Sequence, residues 1–179
     1  MIRPAGWRPS LMLAASNRPA RSAMLGDVQL SVRSAGAPDA EAVAILYMRA
    51  RKAAAAAGTI PPPVHDDRDT AKWIAQEVIA ALDCWVAETS FGALVGLLVL
   101  DRDWLEQLYV DPDLTGQGVG GTLLTLAKRE RPDGLRLWTF VSNLGAQRFY
   151  LRHGFLEVER TNGSRNEEHA PDIQYAWRP

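Results

Sequence analysis

Apolar Val28, Leu30 and Val32 alternate with polar Gln29, Ser31 and Arg33, which is the period of a half-buried strand. The period then changes. Gly36 marks a turn, Pro38 suits the first position of a helix, and Asp39 and Glu41 suit the positive end of its dipole. Val43, Leu46, Tyr47, Ala50 and Ala54 fall on one helical face, and the helix is expected to stop near Gly58. Pro61, Pro62 and Pro63 make residues 59–67 a surface loop, because proline removes backbone donors and fixes φ. Asp67 or Asp69 is expected to cap a second helix with Ala71, Ile74, Ala75, Val78, Ala81 and Leu82 as its buried stripe. Residues 84–89 and 93–100 then form a hairpin turning through Phe91 and Gly92, and residues 105–110 are a further strand. An Asp111-Pro112-Asp113 turn and a run of glycines lead into a helix with Val119, Leu123, Leu126 and Ala127 inward. Leu135, Leu137, Thr139 and Val141 make the next strand, and Asn143 caps a short helix that ends at Gly154. Residues 156–160 and 173–177 close the chain as two strands around a polar loop at 161–172. The order β-α-α-β-β-β-α-β-α-β-β describes one mixed α/β domain over residues 27–179.

Residues 1–26 fit no such pattern. They carry Arg3, Arg8, Arg18 and Arg21 with no acid before Asp27, and the apolar stretch at 11–15 is too short for a secretory signal. An unpacked extension is expected there, or a start at Met24. The 179 residues suit one domain. With 20 basic and 21 acidic residues the net charge is -1, so no global positive field favours nucleic acid as a partner. Cys84 is the sole cysteine, which excludes an internal disulfide and fits a reducing compartment, the cytoplasm. His65, His153 and His169 lie far apart and show no metal-ligand spacing, so no metal is expected. No apolar run approaches the ~18 residues of a membrane span.

Gly116, Gly118, Gly120 and Gly121 sit where a strand hands over to a helix, a place where unsatisfied N–H groups and the helix dipole favour an anion such as phosphate. The stretch formally matches the dinucleotide pattern G-x-G-x-x-G, but Trp138, Thr139 and Phe140 stand where a ribose-binding acid is needed. A nucleotide P-loop would end in Gly-Lys-Ser/Thr, and this turn ends Gly120-Gly121-Thr122. A plain tight turn remains open, although four glycines in six positions exceed its need.

Leu108-Tyr109-Val110-Asp111-Pro112 before the glycines, with Asn143, Ala146, Phe149-Tyr150 and Gly154-Phe155 after them, resembles the GNAT superfamily of acyl-CoA-dependent N-acetyltransferases. The likeness runs from Val28 to Trp177, and residues 163–168 with Pro171, Asp172 and Tyr175 resemble an uncharacterised subgroup of small acetyltransferases. Thr115 departs from the pattern, which has Arg or Gln there. The resemblance implies a mostly antiparallel sheet of about seven strands with flanking helices, splayed between the fourth and fifth. It implies acetyl-CoA as acyl donor, bound by Leu108, Tyr109, Val110, Thr115, Gly116, Gln117, Gly118, Val119, Gly120, Gly121, Asn143, Phe149 and Tyr150.

An N–H near residues 108–110 is then expected to polarise the thioester carbonyl, a contribution worth ~2.7–4 kcal/mol of barrier in other enzymes. Tyr150 is the candidate general acid for the departing thiolate, with a packing aromatic as the alternative; Glu106 is the candidate base. Phe149, about 100° round the helix from Tyr150, also belongs to the core. Glu167, Glu168 and Asp172 form an acidic stretch able to attract a cationic amine, or simply a solvated loop. His65, Trp73 and Trp104 are expected to line the acceptor pocket with Glu167 and Glu168, the tryptophans being equally suited to the core. The expected partner is an amine acceptor: a small molecule, an amino acid, or a peptide or protein. A homodimer is compatible with the sequence and specified by nothing in it. The alternative function is a non-catalytic acyl-CoA-binding sensor or regulatory module.

Overall fold

The computed structural model describes residues 21–25 and 28–179, and the expectation for residues 1–20 lies outside them. The seven strands expected from Val28 onward form as β2 (Val28–Ser34), β3 (Asp83–Thr89), β4 (Leu94–Asp101), β5 (Trp104–Val110), β6 (Leu135–Phe140), β7 (Leu156–Thr161) and β8 (Asp172–Trp177). An eighth precedes them and corrects the reading of residues 1–26. Strand β1 (Arg21–Leu25) pairs antiparallel with β2 from Arg21↔Val32 to Leu25↔Val28. Arg-Ser-Ala-Met-Leu shows no period-2 signal, so only its backbone pairing reveals it. The sheet order is β1-β2-β3-β4-β5-β6-β8-β7, antiparallel throughout except between β5 and β6.

Helices α1 (Ala40–Ala56), α2 (Asp67–Trp73) and α3 (Ile79–Ala81) cover one face of the sheet; α4 (Val119–Glu130) and α5 (Leu144–Arg152) cover the other. Strand β4 lies between these layers, which explains its unbroken apolar run: Leu97 and Val99 pack with Val43, Tyr47 and Ile74, while Leu98 and Leu100 pack with Leu123, Leu124 and Ala127. The cap of α2 is Asp66, whose carboxylate accepts from the Asp69 N–H at 2.8 Å, rather than Asp67 or Asp69. Between α2 and α3 the chain makes a π-helical turn, Ile74–Val78. That turn advances the helical phase. Ile74 and Val78 stay buried, but Ala75 and Ala81 of the expected stripe are exposed. Among the described residues no helix is long and apolar enough to cross a membrane.

Candidate active site

Strand β5 carries the irregularity that opens the site. Its register against β4 runs Val99↔Gln107 and then Leu100↔Leu105, which leaves Glu106 as the extra residue of a bulge. Leu105 and Leu108 consequently both join the core beneath α4, where strict alternation would separate them. A bulge bends its strand. Strands β5 and β6 pair only at Trp104↔Arg136, ahead of the bulge, supported by the Arg136 N–H donating to the Asp103 carbonyl at 2.8 Å. The gap that follows holds a cleft of about 890 Å³ lined by both strands, both helical layers and the glycine turn. On the far edge of β5 the Asp111 N–H donates to the Val95 carbonyl at 2.9 Å. Antiparallel alternation then directs the N–H groups of Leu108 and Val110 away from β4 and into the cleft.

The glycine turn forms one end. Gly116 (φ 83°) and Gly118 (φ 91°) are left-handed, and a Cβ on either would meet nothing within 4 Å, so the backbone lies open to a ligand. Gly118 caps α4 without a side-chain hydrogen bond. The Thr122 N–H donates back to the Gly118 carbonyl at 3.0 Å, and Val119, Gly120 and Gly121 precede that bond. Their N–H groups are the unsatisfied first turn of a helix, and the Phe149 ring lies against Gly120 at ordinary contact distance. Arg152 and His153, at the C-terminal end of α5, add basic groups to this end of the cleft. Glycine backbone and basic side chains together fit the phosphate-bearing arm of an acyl-CoA.

Not every expected cofactor residue offers its side chain. Thr115 lines the cleft, but Gln117 turns away and donates to the Asp113 carbonyl at 3.2 Å. Val119 is core, 1% exposed, and offers only its N–H. Arg49, which the sequence pattern did not single out, pairs with both Asp111 and Asp113 at 2.6 Å and ties the turn to α1. Only the fold makes these neighbours.

Tyr150, also in the cleft lining, lies buried among Phe149, with ring centroids 5.3 Å apart, and Phe155, at 5.5 Å. Burial pushes its phenol pKa well above the ordinary value. Tyr109, with its centroid 5.0 Å from that of Tyr47, is pushed up by burial as well. Glu106 and Asn143 both line the cleft, and Asn143 Oδ1 also caps α5 by accepting from the Ala146 N–H at 3.0 Å.

The five residues expected at the acceptor pocket do not line this cleft. His65 and Glu167 pair at 2.9 Å beside Glu168, around a separate cavity of about 20 Å³ between α1 and two loops. Glu168 pairs with Arg51 at 3.0 Å, their side chains 2% and 5% exposed. Trp73 packs against Tyr47 at 5.7 Å between centroids, where α1 meets α2. Trp104 sits at the opposite end of β5 from the glycine turn, with the Arg136 guanidinium 5.3 Å from its ring centroid. Asp172 is buried and accepts from Asn166 at 2.9 Å and from the Thr161 hydroxyl, a structural role.

Residues 80–157 match the model of the GNAT acetyltransferase domain. This segment of the chain resembles the GNAT acetyltransferase domain. That match takes in the bulge, the glycine turn, β6 and α5. The chain is similar to the peptidyl-lysine N-acetyltransferase YjaB of Salmonella typhimurium, 37% identical over 77 residues, or 43% of this chain and 52% of the relative. It thus spans about half the length of that curated relative. The solution structure of apo YjaB from Escherichia coli has the same fold, with a TM-score of 0.67 at 22% identity over 83% of this chain and 97% of that one. So has the PaiA N-acetyltransferase of Thermoplasma acidophilum in complex with coenzyme A, with a TM-score of 0.61 at 20% identity over 84% and 99% of the two chains.

Proposed function

We propose that the chain transfers an acetyl group from acetyl-CoA to a primary amine bound beside it in the same cleft. The observation that carries this reading is the cleft itself, where an open-backbone glycine turn adjoins the directed N–H groups of β5. When bound, acetyl-CoA supplies an activated acyl group as a thioester. In the net reaction the amine nitrogen bonds to the acyl carbon, the carbon–sulfur bond breaks, the thiolate takes up a proton and the nitrogen loses one.

The first turn of α4 and the N–H groups of Gly116 to Gly121 hold the phosphates. Arg152 supplies a positive side chain of the kind that Thr115, standing where the family pattern has Arg or Gln, does not. The Leu108 or Val110 N–H donates to the thioester carbonyl oxygen and stabilises the negative charge that develops there. Tyr150 supplies the proton for the leaving sulfur. With ordinary values of about 10 for the phenol and about 8.5 for a thiol, the transfer is uphill by about 2 kcal/mol. Burial raises the phenol, but the same dry site raises a nascent thiolate too, so the difference that matters changes less than either value. Glu106, held by the bulge at the cleft wall, receives the amine proton.

Thermal unfolding with acetyl-CoA tests the cofactor half of this reading. At 100 times its dissociation constant the ligand is expected to add about 2.7 kcal/mol of stability. Gly118→Val, which forces a branched side chain onto a left-handed residue at the cradle, is expected to remove the shift. No shift for a folded wild-type chain overturns the cofactor assignment.

A further inference from the structure

Helix α1 sorts its side chains by charge. Arg49 pairs with Asp111 and Asp113, each at 2.6 Å, Arg51 with Glu168 at 3.0 Å, and Lys52 with Asp67 at 2.6 Å. Each of these cations is taken up by a carboxylate that does not line the cleft. What the same stretch of α1 turns into the cleft is Ala50, Ala53, Ala54 and Ala57, and Ile60 continues the wall. Arg152 and His153, the basic residues among the described cleft lining, stand at the glycine turn, and Glu106 is the carboxylate there.

The phosphate cradle occupies the α4 side of the sheet, so an acceptor reaches the thioester from the α1 side, past the alanine wall. Resting on the proposed acetyl transfer, we infer that the acceptor is a primary amine on an uncharged apolar stem, and that a carboxylate beside the amine is rejected. An acceptor carboxylate on this wall loses its water and meets no counter-charge there, while Glu106 adds a like charge to the same cleft. An aliphatic or aromatic stem instead buries apolar surface against Ala53, Ala54 and Ile60. Two sources share this chemistry: a small apolar amine, and a lysine side chain within a polypeptide, whose carboxyl is already an amide.

Matched acceptors decide the matter by thiol release from acetyl-CoA. Phenethylamine is compared with phenylalanine, and Nα-acetyl-lysine methylamide with free lysine. Within each pair the uncharged stem is expected to give kcat/KM higher by about tenfold or more, a difference of about 1.4 kcal/mol. Preference for the blocked lysine assigns the polypeptide source, and preference for phenethylamine the small-molecule one. Ala54→Arg places a counter-charge on the wall and is expected to narrow the phenylalanine gap through KM. Equal or better turnover of the free amino acids, or an unchanged gap in Ala54→Arg, overturns the inference while leaving acetyl transfer intact. If the chain binds acetyl-CoA yet no amine releases thiol, the transfer reading fails and the acceptor class falls with it.

Discussion

Tyr150 shows how far a single residue can be read before the fold is known. Its place in Asn143 to Phe155 makes it the candidate acid, but its burial, which raises its pKa, comes from packing against Phe149 and Phe155. Tyr150→Phe is expected to lower kcat by about 10²-fold or more while the acetyl-CoA thermal shift persists. Because burial raises the phenol, the protonated, proton-donating form persists to higher pH than for an ordinary tyrosine. The rate profile is therefore expected to climb as the amine deprotonates and to show no falling limb from Tyr150 up to about pH 10. A limb falling near pH 8 counts against this tyrosine as the acid. Glu106 was harder to place, since only the bulge decides which way a residue at that position faces. Trp73 and Trp104 suit a pocket or the core equally in sequence, and the fold packs them against Tyr47 and Arg136.

The elements themselves were largely legible, because long helices and strands announce themselves by period. Three features were not. The π-helical turn at Ile74–Val78 shifts a face without changing composition, and β1 pairs through its backbone. The loop at 161–172 reads as solvated polar sequence, yet it delivers Glu168 to Arg51 in the interior. This buried pair is costly to break by halves. Glu168→Ala is expected to lose about 3–5 kcal/mol in denaturant unfolding, because it strands the Arg51 charge. Arg51 Nε and Glu168 Oε2 lack hydrogen-bond partners in place, so the apolar double replacement Arg51→Met with Glu168→Leu is expected to recover most of that loss. Near full loss in the double variant indicates that the pair itself sets the loop's position.

A second tie joins β2 to the start of α1. Arg33 donates to both oxygens of Asp39, at 2.8 and 2.9 Å, and the Gly36 N–H also donates to Asp39 at 2.8 Å. The Arg33 hydrogen bonds hold the Asp39 carboxyl below its usual range. A folded pKa below the unfolded one gives stability that is complete above about pH 4 and is lost as pH falls through the folded value. Asp39→Asn is expected to lower stability at pH 7 and to flatten the acid side of the profile; an unchanged acid slope shows that other carboxylates govern it.

At the scale of the whole molecule, the sheet separates two kinds of work. The α4 side offers backbone donors and basic groups for phosphate, and the α1 side offers an apolar wall with its cations turned away. The bulge at Glu106 and the single β5–β6 pair open a passage between them. The glycine turn and the α5 motif were visible in the chain because both are local. The acceptor wall was not, since its alanines look like ordinary helix and its meaning depends on where Arg49, Arg51 and Lys52 find their partners. The decisive measurement is the balance between free thiol released from acetyl-CoA and acetylated amine detected by mass in the same reaction. Acetyl transfer predicts equal amounts of the two, rising with amine concentration and falling sharply in Tyr150→Phe. Thiol release that ignores the amine, or acetyl-CoA binding with no acetylated product from any amine, contradicts it.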